Sequence, residues 1–270
     1  MVQGVGYNPY YQNYYPYEDN PYEPQRRVQK NESSEVSALG LLLASEAIRF
    51  GSEKASAALM RGKEYTTIDN VRKVTNEMLN KGKLNDISVH FVDMNNIKEV
   101  SRQTGISVDN LTEVASGKNA FYSDGAKVAV APKAKPSLIQ HELGHAINAK
   151  KPFLKLLQNS RRYAHYVPTA LILANALAKR LNPNNSNEDT FIEKHAGKIG
   201  FLAFLPTIVE EGLASFRGIQ AAKKTLGGQN IKLGPLKRNY FFAWMTYLLA
   251  GLGLGVASKL SVKTGIPSSM

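Results

Sequence analysis

The chain reads as an α+β protein, predominantly helical, with a small antiparallel sheet and several hydrophobic helices suited to a membrane. Three observations predict this: helical apolar spacing in several segments, only short stretches of strand-like alternation, and long uncharged runs late in the chain. With 270 residues, 43% of them hydrophobic, one sizeable core can be buried. We expect a single domain over residues 35–265, preceded by an arm over 1–34.

In the arm, Tyr7, Tyr10, Tyr11, Tyr14, Tyr15, Tyr17 and Tyr22 alternate with Asn, Gln and four prolines, with no apolar period. Proline blocks both a regular helix and a ladder, so this segment is expected to be disordered, and it lacks the pattern of a secretory signal. From Glu35 to Arg61, Leu39, Leu42, Leu43, Ala47 and Phe50 follow helical spacing and predict an amphipathic helix. Thr67 to Lys81 reads as a second helix with Val71, Val74 and Met78 on its inner face. Alternation over Ile87–Val92 predicts a strand, with Ile87, Val89 and Phe91 to one side and His90 to the other. Ile97 to Thr104 reads as a short helix. Residues 119–122, a Ser123-Asp124-Gly125 turn and Lys127–Ala131 then form a hairpin whose edge could receive an extended peptide.

The most informative residues follow that hairpin: His141-Glu142-Leu143-Gly144-His145. Two histidines four apart on a helix lie on one face, one turn apart, and can share one zinc ion. Glu142 then stands beside the open coordination position. Zinc lowers the pKa of a bound water to about 7, and a neighbouring carboxylate can take its proton as the water attacks a carbonyl. Pro136, with Ser137 and Gln140 in a capping-box pattern, and Pro152 bracket the helix.

A catalytic zinc takes three protein ligands plus water. The chain has no cysteine, which excludes disulfides and thiolate ligands. His90, His165 and His195 fall in no ligand pattern. A carboxylate in Leu205–Gly218 is the better candidate. Glu211 has the small residues Gly212, Ala214 and Ser215 around it, whereas Glu210 points about 100° away on the same helix. The choice between them stays open at this level.

His141–Asn148, followed after a hydrophobic stretch by Leu205-Pro206 and Glu211-x-x-Ala214-Ser215, resembles the membrane-associated neutral zinc metallopeptidases of the YugP type. Those carry a HEVGHAIQ-like helix and later a segment of the form LPVEFxASRRA. HtpX-like and CAAX prenyl proteases share the plan. The resemblance covers roughly residues 67–225 and is specific at the two motifs. It implies a zincin-like (gluzincin) catalytic domain with one zinc held by His141, His145 and Glu211, and with Glu142 as general base. This chain departs from the pattern by an insertion between Pro206 and Glu211. Phe216 stands where an arginine is usual, and Ser215 where the related plans have an aspartate that orients a ligand histidine. Ser215 and Arg217 are the candidates for supporting roles around the site.

Net charge is +12, which favours anionic partners. No zinc-finger or RNA-binding signature accompanies it, so a membrane is expected rather than nucleic acid. Asn239 to Ser258 is 20 residues without a charge, about 30 Å of helix, with Tyr240 and Trp244 near one end. Residues 163–178 and 199–209 are shorter uncharged runs, expected to form a hydrophobic hairpin over about 163–209. The resulting expectation is an integral or closely attached membrane zinc endopeptidase acting on polypeptides. The alternative is a non-catalytic membrane-associated protein that binds zinc or recruits a partner.

Overall fold

Residues 63–182 and 189–263, with Glu46 and Arg49, are described by a computed structural model. The expected Tyr-rich arm and nearly all of the expected 35–61 helix lie outside these residues.

Thr67 opens helix α1 (Ile68–Gly82) by accepting a hydrogen bond from the Asn70 amide, and Lys83 closes it in the left-handed conformation. Its stripe of Val71, Val74 and Met78 is buried. Strand β1 (Ser88–Val92) follows, then two short helices, α2 (Ile97–Thr104) and α3 (Val108–Ala115). Helix α3 starts at Ser107, whose hydroxyl accepts from the Asn110 amide. Strands β2 (Phe121–Ser123) and β3 (Val128–Pro132) complete the sheet in the order β1-β3-β2.

The hairpin pairs antiparallel, Tyr122 opposite Ala129, but β1 runs parallel to β3, with His90 opposite Val130. The sheet is therefore mixed, not antiparallel throughout. The reason is the connection: α2 and α3 leave and return at the same end of the sheet, β2 makes the return pass, and β3 then runs in the direction of β1. Val92, Val100, Leu111, Val114, Val128 and Val130 form the apolar layer between these helices and the sheet. Because β3 is central and buried on both faces, it reads as a continuous small apolar run.

A 3₁₀ turn (Pro136–Leu138) leads into α4 (Ile139–Ala149), which carries the two histidines. The expected capping box does not form. The Ser137 hydroxyl instead donates to Glu64 Oε1 (2.8 Å), and Gln140 Nε2 donates to the Tyr65 hydroxyl (2.7 Å). Long-range partners have taken the side chains that a solvated helix start would use. Pro152 begins α5 (Pro152–Ser160), followed by a 3₁₀ segment (Arg161–Tyr166) and α6 (Val167–Leu181).

Helix α7 (Phe191–Leu226) is started by a full capping box between Thr190 and Glu193, and α8 (Gly234–Lys263) returns beside it. Both are long and apolar enough to cross a membrane by length and composition. The end of α7 and start of α8 close over α1 and α4, burying Ile139 and Leu143 together with Leu226, Leu236 and Tyr240. Each such aliphatic side chain contributes roughly 1.5–3 kcal/mol by leaving water. Tyr240 also donates its hydroxyl to the Ser137 carbonyl (2.9 Å), tying α8 to the turn that launches α4.

Candidate metal centre

Glycine decides how α4 meets α7. A Cβ placed on Gly144 would overlap the Ala214 carbonyl oxygen and lie 2.7 Å from its Cα. The two backbones are in contact there. Gly218 makes a second, looser approach one turn further along the crossing, where a Cβ would meet the Gln140 carbonyl oxygen at 3.1 Å. Only because these positions lack bulk can the short side chain of a glutamate on α7 reach histidines on α4.

The result is a buried cluster of His141, His145 and Glu211. His141 Nε2 lies 3.0 Å from His145 Nε2 and 3.2 Å from Glu211 Oε2, and His145 Nε2 lies 3.6 Å from the same oxygen. A tetrahedral zinc with bonds of about 2.0–2.1 Å needs donor atoms about 3.3 Å apart. The three donors therefore fit such an ion, and all three residues line a cavity of about 380 Å³. The donor set itself, two imidazoles and a carboxylate, suits zinc among several divalent metals.

Each histidine is held from behind. His145 Nδ1–H donates to Glu210 Oε1 at 2.7 Å, which leaves Nε2 as the free donor atom. Asn148 Nδ2 (3.1 Å) and Gln158 Nε2 (2.7 Å) bond the same carboxylate oxygen. His141 Nδ1–H, by the same logic, donates to Ser215 Oγ at 3.1 Å. Of the two adjacent glutamates, Glu211 joins the cluster and Glu210 orients one of its members. Their separation of about 100° around the helix places them on two sides of the His145 ring.

Arg161 is the cation that meets both glutamates. Its Nη1 lies 2.8 Å from Glu211 Oε1 and 3.5 Å from Glu210 Oε2. It comes from the 3₁₀ segment after α5, which carries no motif, and so it is invisible to spacing arguments. Tyr247, on α8, also lines the cavity and escapes the sequence for the same reason. Arg217 is placed elsewhere: its Nε donates to Asn148 Oδ1 (2.7 Å), and its side chain lines a separate groove beside α1. It reaches the cluster only through Asn148 and Glu210.

Glu142 is buried and opens onto the cavity. Burial raises its carboxyl above the usual range, and the neighbouring His141 and His145 offset this in part. Burial opposes a charge on His145, but Glu211 and Glu210 outweigh it and push that imidazole up to about 10. Without a metal, a proton therefore takes the place of the cation that the carboxylates demand. His90 lines a shallow depression on the sheet, and His195 packs on Phe191 with ring centres 4.5 Å apart, so neither approaches the cluster.

Strand β2 and the residues before it, including Ala120, Phe121 and Tyr122, also line the cavity. Among the described residues, the outer side of β2 is an unpaired sheet edge. No protein-family model, curated protein or solved structure matches the chain. The functional reading therefore rests on the chemistry and geometry of the cluster.

Proposed function

We propose that this protein is a membrane-associated, zinc-dependent endopeptidase acting on extended polypeptides. One observation carries the reading: three donor atoms spaced for a tetrahedral ion share a cavity with the buried carboxylate of Glu142 and with a strand whose outer edge is free among the described residues.

A bound zinc supplies Lewis acidity, polarising a carbonyl and acidifying water. The chain's own residues do the rest. The edge of β2 holds the substrate backbone as an added strand and fixes where its carbonyl lies. Glu142, with its carboxyl already raised by burial, takes the proton of the attacking water and returns it to the departing amine. Arg161 keeps Glu211 and Glu210 in place through its contacts with both. Tyr247 is the hydroxyl on the cavity wall best suited to donate to the developing oxyanion.

Membrane association is supported by what the helices show to the outside. Leu202 on α7 and Phe241, Leu249, Leu252 and Val256 on α8 are all at least half exposed. A soluble surface rarely gathers so many large apolar side chains. Glu210 and Glu211, in the middle of α7, are accommodated because they face inward onto His141, His145 and Arg161.

The test is zinc content and hydrolysis of an unfolded casein by the detergent-solubilised protein and its Glu142→Gln variant. We expect both to carry one zinc and the variant to lose about a hundredfold or more in rate. Equal rates, or no zinc in either, would remove the assignment.

A further inference from the structure

Helices α7 and α8 touch again far from the metal centre. A Cβ on Gly255 would lie 2.8 Å from the Gly197 carbonyl, and one on Gly197 would lie 3.2 Å from the Gly255 carbonyl. With no side chains at the contact, a groove of about 550 Å³ opens along the outside of the helix pair. Its walls are Phe201 and Leu202 from α7 and Leu252 and Val256 from α8. Leu202 and Val256 are 57% and 61% exposed, so the walls are apolar and uncovered among the described residues.

One end of the groove is basic. Lys194, Lys198 and Lys259 line it, all exposed, and no ion pair engages them among the described residues. The nearby acid is already committed: Glu193 is buried, takes Lys179 at 2.6 Å, and accepts from Asn175 and the Thr190 amide. Helix electrostatics do not explain the cluster. Lys259 lies near the C-terminal end of α8, where a cation is favoured, but Lys194 lies in the opening turns of α7, where it is not.

We propose that this groove binds one anionic phospholipid, its phosphate on the three lysines and an acyl chain laid between α7 and α8. The inference rests on the membrane reading above and deepens it. The charge is uncompensated and sits at the end of an apolar trough, which matches an anionic head joined to a hydrocarbon tail. The trough runs about 12 Å along α7, from Lys194 to Leu202. A lipid seated there would fix the depth of the protein. Glu211, 13 residues beyond Lys198, would lie about 20 Å further along the helix from the headgroups.

The experiment uses the full chain. It is mixed with phosphatidylcholine vesicles, with or without one third phosphatidylglycerol, and floated on a density gradient; retained lipid is then counted by native mass spectrometry. Three proteins are compared: the parent, Lys194→Gln/Lys198→Gln/Lys259→Gln, and a control of equal charge loss at the far ends of the helices, Lys223→Gln/Lys232→Gln/Lys237→Gln. We expect all three to float with neutral vesicles. The parent and the control should retain one phosphatidylglycerol with about tenfold preference over phosphatidylcholine, and the groove variant should lose that preference. Val256→Trp, which fills the trough and keeps every lysine, should lose it too. Equal loss in the control, or no preference in the parent, overturns the lipid site while leaving the membrane reading intact. Failure of the parent to float with either vesicle overturns both.

Discussion

Glu210 accepts a 2.7 Å hydrogen bond from Nδ1 of His145, the side of the ring turned away from the donor cluster. That contact sets which nitrogen of His145 is available to a cation, and it raises the basicity of the nitrogen that is. Glu210→Gln keeps the shape and removes the charge. We expect zinc affinity to fall about tenfold or more, read by competition with a coloured chelator, with helix content unchanged.

Gly144→Ala addresses the helix crossing. Its methyl would meet the Ala214 backbone, which cannot move without shifting α7. The expected cost is about 1–3 kcal/mol, each kcal/mol lowering the thermal midpoint by about 2–4 °C. Zinc affinity should fall with it, because the same shift withdraws Glu211. A variant with parental midpoint and parental affinity would show that the contact is slack.

On the proposed zinc reading, the ion has to displace a proton from His145, whose pKa is pushed up to about 10 by Glu211 and Glu210 against the effect of burial. Apparent affinity should rise by up to about tenfold per pH unit through roughly pH 6–8. The metal-free protein should behave in the opposite sense. A raised histidine pKa adds stability that is complete below the unfolded value near 6.5 and lost as pH climbs through about 10. Thermal scans with and without zinc from about pH 6 to 9 should therefore diverge as pH increases.

Tyr247→Phe removes a hydroxyl from the cavity wall and leaves the ring. If that hydroxyl serves the oxyanion, kcat should fall about a hundredfold while KM and zinc content hold. A change confined to KM would place Tyr247 in substrate binding instead.

How much of this is legible in the sequence follows from range. The His141–His145 pairing is local, fixed by 3.6 residues per turn, and can be read directly. Glu211 is suggested by the small residues around it, and the crossing at Gly144 and Gly218 shows why close approach is possible there. The companion role of Glu210 is hidden, because helical phase tells which way a side chain points but not what waits there. Arg161 and Tyr247 come from segments whose local pattern is only a helix, so nothing short-range marks them. Strand alternation predicts β1 but carries no sign of direction, and its parallel pairing with β3 emerges only with the sheet. The cap expected at Ser137 fails because Glu64, 73 positions earlier, claims its hydroxyl.

The rim of β2, unpaired among the described residues, has a consequence for what could enter the cleft. Main-chain pairing reads amides and carbonyls, which every polypeptide offers alike, so it discriminates poorly between one sequence and another. What it does reject is any segment whose amides and carbonyls are already engaged in a helix or sheet of its own. On the proposed peptidase reading, selection at such a rim would fall on loss of structure in the substrate, and a well-folded neighbour would pass untouched.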